Sequence, residues 1–140
     1  MPAHNPITMV MVDDDVDQIF ATRRLVRSNG IVNHFVSESK SERLIETLVE
    51  LYNAHETRNI VVLLDLNMPY LNGIETLRAI RSHSHFKDIP VFMFSASDNQ
   101  ADKDEATRHG ANGYIVKPFT LEAFVAAMGQ LPQVKFQMVA

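Results

Sequence analysis

The chain contains no cysteine. That excludes a disulfide scaffold, thiolate metal sites and cysteine nucleophiles, and it fits a reducing cytoplasm. It carries no basic excess. Lys and Arg number 13 against 17 Asp and Glu, a formal net charge of -4, so there is no electrostatic footprint for nucleic acid. No apolar run approaches the roughly 20 residues of a membrane span. The opening "MPAHNP" lacks the basic segment and apolar core of a signal peptide. Internal repeats and low-complexity tracts are missing too. The expectation is a cytoplasmic protein without direct nucleic-acid or membrane contacts. With 140 residues, 46% of them hydrophobic, the chain is long enough for one domain with a sizeable core.

What is present is an alternation of short apolar runs with amphipathic stretches. "ITMVMV" (Ile7 to Val12) reads as a buried strand. "VDQIFATRRLVRSNG" reads as a helix offering Ile19, Ala21, Leu25 and Val26 to the core, with Gly30 just past its end. Asp15 and Gln18 have the spacing of a capping box. "VNHFVSE" is a strand, and "SERLIETLVELYNAH" a helix with Leu44, Ile45, Leu48 and Leu51 at helical spacing. "NIVVLLDL" is a continuous apolar run ending on one acid, as in a strand covered on both faces. "NGIETLRAIRSH", "IPVFMFSAS", "NQADKDEATRHG" and "NGYIVKPF" continue as helix, strand, helix and strand. The last helix is "TLEAFVAAMGQL", with Leu121, Phe124, Val125 and Met128 on one side. Five such alternations predict an α/β fold, a five-stranded parallel sheet with helices on both faces and right-handed crossovers.

In such sheets the polar groups at the carboxyl ends of the strands gather around one crevice. Here those ends carry Asp13 and Asp14, Asp65, Ser95 and Lys117. Three carboxylates in one crevice cannot all stay ionised cheaply without a cation. Ligands that are all oxygen suit a hard ion, and Mg2+ is the natural choice, with Mn2+ an acceptable substitute. An ammonium and a hydroxyl beside that ion suit the negative oxygens of an incoming phosphoryl group. Asp65 stands apart from the Asp13–Asp14 pair and is the candidate nucleophile, giving an acyl phosphate.

With "MVDDD", "VVLLDLNMPYLNG", "VFMFSAS" and "GYIVKPF" in this order, the chain resembles the receiver domains of response regulators in bacterial two-component signalling. The resemblance covers about residues 7 to 130. It implies the flavodoxin-like strand order 2-1-3-4-5, with 1–6 as an extension and 131–140 as a tail. It also implies Asp65 as phosphoacceptor, Asp13, Asp14 and Asp65 as Mg2+ ligands with the backbone carbonyl of Asn67, and Lys117 and Ser95 as phosphate-binding groups. Lys117–Pro118 is expected to be a cis peptide. Ser95 and Tyr114 take the switch positions, and Asn67 and Ser97 the positions that tune dephosphorylation. The implied function is a single-domain regulator of a two-component or phosphorelay pathway, not an enzyme. Its phosphodonor is a sensor histidine kinase or a histidine phosphotransfer domain, meeting Gln18 and the Pro118–Phe119 loop. A downstream protein reads the switched surface, and the last-strand region resembles a face that forms homodimers.

Plainer roles stand beside these. Asp13 and Asp14 alone fit a solvated turn or helix cap; only their register with Asp65, Ser95 and Lys117 favours a metal. Asp15 and Asp17 serve the helix start. Phe119 fits packing beside the Lys–Pro turn. The "HSH" of His83 to His85 reads as surface histidines, since i,i+2 spacing separates the rings on a helix. The segment around "LVELYNAHETRNI" is longer than in the shortest receivers, as in phytochrome-associated regulators. Two other functions are open. Haloacid-dehalogenase-like phosphatases use D-x-D-x-[TV], which Asp13 and Asp15 match but Asp17 does not. A phosphorylation-independent adaptor would need a degenerate pocket, yet no pocket residue is missing.

Overall fold

The computed structural model describes residues 7–30, 34–54, 60–66 and 73–131. The apolar runs form strands β1 (Thr8–Val12), β2 (His34–Glu38), β3 (Ile60–Asp65), β4 (Val91–Ser95) and β5 (Gly113–Val116). Between them lie helices α1 (Val16–Ser28), α2 (Leu44–Asn53), α3 (Gly73–Ser82) and α4 (Gln100–Arg108), and α5 (Leu121–Met128) follows. A single 3-10 turn, Ser41–Arg43, leads into α2. The sheet is wholly parallel, in the order β2-β1-β3-β4-β5. The fold expectation therefore holds. The strands read from sequence are trimmed by a few residues, and Asn59 and residues 31–33 lie outside the described residues.

Alternation along each strand divides the core in two. Met9, Met11, Val61, Leu63, Phe92 and Phe94 point to the side of α1 and α5, where they meet Ile19, Val26, Phe124 and Met128. Val10, Val12, Val62, Leu64, Val91 and Met93 point to the side of α2, α3 and α4, where they meet Leu44, Leu48, Leu77, Ile80 and Ala106. β1, β3 and β4 are buried at every position, whereas edge strands β2 and β5 are half open. This is why the three central strands read as unbroken apolar runs and the edge strands do not.

Helix α1 departs from the expectation. Its buried stripe is Ile19, Thr22 and Val26, at i, i+3 and i+7. Ala21 is exposed, and Leu25 is 37% exposed. Apolar character suggested Leu25 for the core, but the helical rotation that buries Ile19 and Val26 turns Leu25 outward and brings Thr22 in. Gly30 ends the helix with φ 67°, a left-handed turn that favours glycine.

At the amino end of the strands, Arg81 acts as a latch. Its Nε and Nη2 donate to the Gly110 carbonyl at 3.0 and 2.8 Å. Nη1 donates to the carbonyls of Lys87 and Ile89, and Nη2 also to Asn112 Oδ1. Burial pushes this guanidinium below its ordinary pKa, and the Asp88 carboxylate opposes that shift. The latch ties the end of α3 to the entries of β4 and β5.

The two faces of the helices predict a simple contrast. Leu48→Ala, at a fully buried position of α2, is expected to cost about 2–5 kcal/mol. Leu25→Ala is expected to cost well under half as much. Urea denaturation of the two variants checks this; equal losses would return Leu25 to the core.

Candidate functional site

Parallel register brings the strand ends level. Val12 pairs with Leu64, Asp65 with Phe94, and Ser95 with Val116. The ends are then fixed by backbone bonds: Asp13 N–H to Glu38 O at 3.1 Å, Leu66 N–H to Phe94 O at 3.0 Å, and Lys117 N–H to Ser95 O at 2.7 Å. Asp13, Asp65, Ser95 and Lys117 consequently meet at one edge, although they come from four strands.

Asp13 and Asp65 are 0% and 3% exposed, and Ser95 is 1% exposed. Buried carboxylates need compensation. Lys117 supplies part of it, with Nζ 3.3 Å from Asp13 Oδ2 and 3.4 Å from Asp65 Oδ1. The ammonium also lies 5.1 Å from the centroid of the Phe94 ring, which gives it a cation–π seat. Asp13 Oδ1 accepts the Asp15 N–H at 2.9 Å. Its other oxygen is buried and takes no hydrogen bond, only the looser contact with Lys117.

Asp14, which is exposed, completes a set of three carboxylates whose ligand oxygens lie within 4.8 Å of one another. Three carboxylates and one ammonium leave two negative charges, which a divalent cation neutralises. The buried oxygen of Asp13 without a hydrogen bond, and a donor set made only of oxygen, fit such an ion. Asn67, expected to add a carbonyl ligand, lies outside the described residues.

Asp15 separates cleanly from this group. It is the N-cap of α1, its carboxylate accepting the N–H groups of Asp17 and Gln18 at 2.9 and 3.4 Å. The capping box is only half built, because the N–H of Asp15 is spent on Asp13 instead of on the Gln18 side chain. A carboxylate committed to the cap is also poorly placed for the second acid of a phosphatase motif.

On the other side of the sheet, Ser95 and Tyr114 share one hub. The Ser97 N–H donates to Ser95 Oγ at 3.1 Å, and the Tyr114 hydroxyl donates to the Ser97 carbonyl at 2.9 Å. The Ser97 hydroxyl donates to Asp102 Oδ2 at 2.6 Å and accepts the Asn99 N–H at 3.1 Å. The Lys103 ammonium, paired with Asp98, lies 6.0 Å from the centroid of the Tyr114 ring. Sequence reading singled out Ser95, Ser97 and Tyr114 but missed Asp102, which looks like any acid in the first turn of a helix.

The Lys117–Pro118 peptide is cis, as expected. Pro118 is exposed and Gln18 half-buried. Phe119 corrects one expectation and meets another. It is 5% exposed and packs on Phe94 and Phe124, with ring centroids 6.3 and 5.6 Å apart. It therefore braces the Lys–Pro turn from within and is not available to a partner. The "HSH" residues lie beyond the end of α3, with the two rings 5.8 Å apart. His83 stacks on Phe86 and His85 leans on Tyr52, so the rings are near each other and serve packing.

Gly73 supports Asp65 from behind. A Cβ there would meet the Asp65 carbonyl oxygen at 2.6 Å and Leu66 Cα at 2.7 Å, both backbone atoms that cannot swing aside. Gly73→Ala is expected to cost about 1–3 kcal/mol and to shift the Asp65 backbone. Denaturation and the amide resonance of Leu66 check this; an unchanged stability would show that α3 can retreat freely.

Comparison with known proteins agrees with this geometry. Residues 9–129 match the family described as the response regulator receiver domain. The transcriptional regulatory protein PrrA of Mycobacterium leprae is 33% identical over 123 residues, covering 88% of this chain. This chain spans only 48% of that protein's length. The chemotaxis protein CheY1 of Helicobacter pylori is 32% identical over 105 residues, 75% of this chain and 83% of that protein. The solved structure of the bacteriophytochrome response regulator RtBRR superposes with a TM-score of 0.76 at 29% identity, over 91% of this chain and 79% of that one. Topology, site and similarity converge, and the chain belongs to the response regulator receiver domain family.

Proposed function

We propose that this receiver domain, residues 7–130, is a phosphoacceptor switch that takes a phosphoryl group from a histidine onto Asp65. The observation that carries the reading is the Lys117 ammonium held between the buried Asp13 and Asp65 carboxylates, beside a third carboxylate. An Asp65 oxygen attacks the phosphorus, an acyl phosphate bond forms, and the P–N bond to the donor imidazole breaks. Asp13, Asp14 and Asp65 would hold Mg2+, which would supply charge neutralisation for the phosphoryl oxygens. Lys117 lies close enough to Asp65 to pair with a further phosphoryl oxygen. Ser95 contributes its hydroxyl as a hydrogen-bond donor, since its oxygen already accepts from Ser97.

The donor is a sensor histidine kinase or a histidine phosphotransfer domain. Support comes from α1 beside the site, where Val16 and Phe20 are 69% and 59% exposed. They flank the half-buried Gln18, and Pro118 is exposed across the crevice. Exposed apolar side chains next to a reactive carboxylate suit a protein partner. The downstream reader is a second protein that meets the surface of α4 and β5, around Tyr114.

Two outcomes are expected. Acetyl phosphate with Mg2+ adds one phosphoryl group to the intact protein, seen by mass spectrometry, and Asp65→Asn abolishes it. Full labelling of that variant would sink the assignment. Separately, Asp13→Asn weakens Mg2+ binding at least about tenfold, read by calorimetry without any phosphodonor; unchanged affinity would remove Asp13 from the ligand set.

A further inference from the structure

Ser97 has four polar connections, and each goes somewhere different. Its N–H orients the Ser95 hydroxyl, and its carbonyl holds the Tyr114 hydroxyl. Its own hydroxyl donates to Asp102 at 2.6 Å and accepts the Asn99 N–H. The first two connections are made by backbone atoms. They hold their direction only while the Ser97 residue itself is held. The last two do that holding, and the stronger is the short bond to a charged acceptor.

Asp102 lies in the first turn of α4, one residue before Lys103, whose ammonium lies over the Tyr114 ring and pairs with Asp98. Two successive α4 side chains thus hold the switch pair, one through Ser97 and one over the ring. The Asn99 side chain caps the same helix by accepting the Ala101 N–H at 2.7 Å. The α4 start is therefore knitted to the loop after β4, and the hydrogen bonds of the network run among Ser95, Ser97, Asn99, Asp102 and Tyr114 and not to Asp13 or Asp14 among the described residues.

We infer that Asp102 is a positioning residue of the switch: its carboxylate fixes Ser97, and through Ser97 the Ser95 hydroxyl and the Tyr114 ring. This rests on the phosphoacceptor reading above for its functional consequence. Asp102 touches neither the phosphoryl site nor the cation ligands. Its effect passes through Ser97, which makes the orientation of Ser95 depend on where α4 sits. A displacement of the α4 start then alters the hydroxyl offered to the phosphoryl group, and the reverse coupling follows by linkage.

The test uses the full chain, isotopically labelled, as wild type, Asp102→Ala and Asp102→Asn, with thermal melts to establish folding. Without phosphodonor, Asp102→Ala is expected to shift the Ser97 amide and the Tyr114 ring resonances. With acetyl phosphate and Mg2+, it is expected to slow phosphorylation of Asp65 at least about fivefold. Asp102→Asn, whose amide oxygen still accepts the Ser97 hydroxyl, restores both readouts. If Asp102→Ala fails to fold, Ser97→Ala removes the same bond from its donor side, and the same two changes are expected. Wild-type Tyr114 resonances together with a wild-type rate in the variant overturn the inference, as does a loss that Asp102→Asn leaves unrescued. Absence of any phosphoryl group on wild-type Asp65 defeats the underlying reading instead, while the Tyr114 resonances of the untreated protein still decide the role of Asp102.

Discussion

One ammonium shared by two buried carboxylates governs the arrangement of this site. Asp13 and Asp65 sit at the ends of two of the three strands that are buried at every position, where an isolated charge would be prohibitively costly. Lys117 offsets one of those charges, and the exposed Asp14 brings a third carboxylate into a cluster that could hold a cation. The surroundings are built to keep these groups in place. The β3 strand end is backed by Gly73, Lys117 is seated over Phe94, and the turn behind it is braced by Phe119. The helix start next to Asp13 is capped by a different acid, Asp15, while the Asp13 carboxylate accepts the N–H of that cap residue.

Strand alternation adds a division of labour. Asp65 has the parity of Val61 and Leu63, and Lys117 that of Ile115, all on the side of α1 and α5. Ser95 has the parity of Val91 and Met93, and Tyr114 packs with that same cluster, on the side of α2, α3 and α4. The charged groups and the Ser95 and Tyr114 hydroxyls therefore lie on opposite faces of one sheet edge. The two faces meet within a single strand spacing, with Asp65 at the end of β3 and Ser95 at the end of β4.

Much of this was legible in the sequence because it depends on period and order. Two-residue alternation and apolar runs gave the strands, and the strand-end polar residues gave Asp13, Asp14, Asp65, Ser95 and Lys117. What was not legible depends on rotation and on competition for partners. Leu25 and Thr22 exchanged places because a few tens of degrees of helix rotation decide which is covered. The Asp15 capping box lost one arm because Asp13, two residues earlier, took the N–H. The histidines of "HSH" approach each other because the helix stops before them. Arg81 acts on Gly110, 29 residues on, and Asp102 reaches back to Ser97 across the loop before α4, a pairing that apolar period and strand order do not encode.

Those last two residues define how α4 is mounted. Its carboxyl end runs into Gly110, whose carbonyl receives two of the Arg81 donors in a network that occupies the whole guanidinium. Its amino end is joined to the sheet edge through Ser97, by the Asp102 bond and the Asn99 N–H, with Lys103 over Tyr114. A planar guanidinium with all five donors used is hard to displace. Helix α4 is thus held by the guanidinium network at the end far from the site and by the Ser97 contacts at the end beside it. The surface beside the second of these mounts lies around Asp98, Lys103 and Tyr114, where β5 is half open.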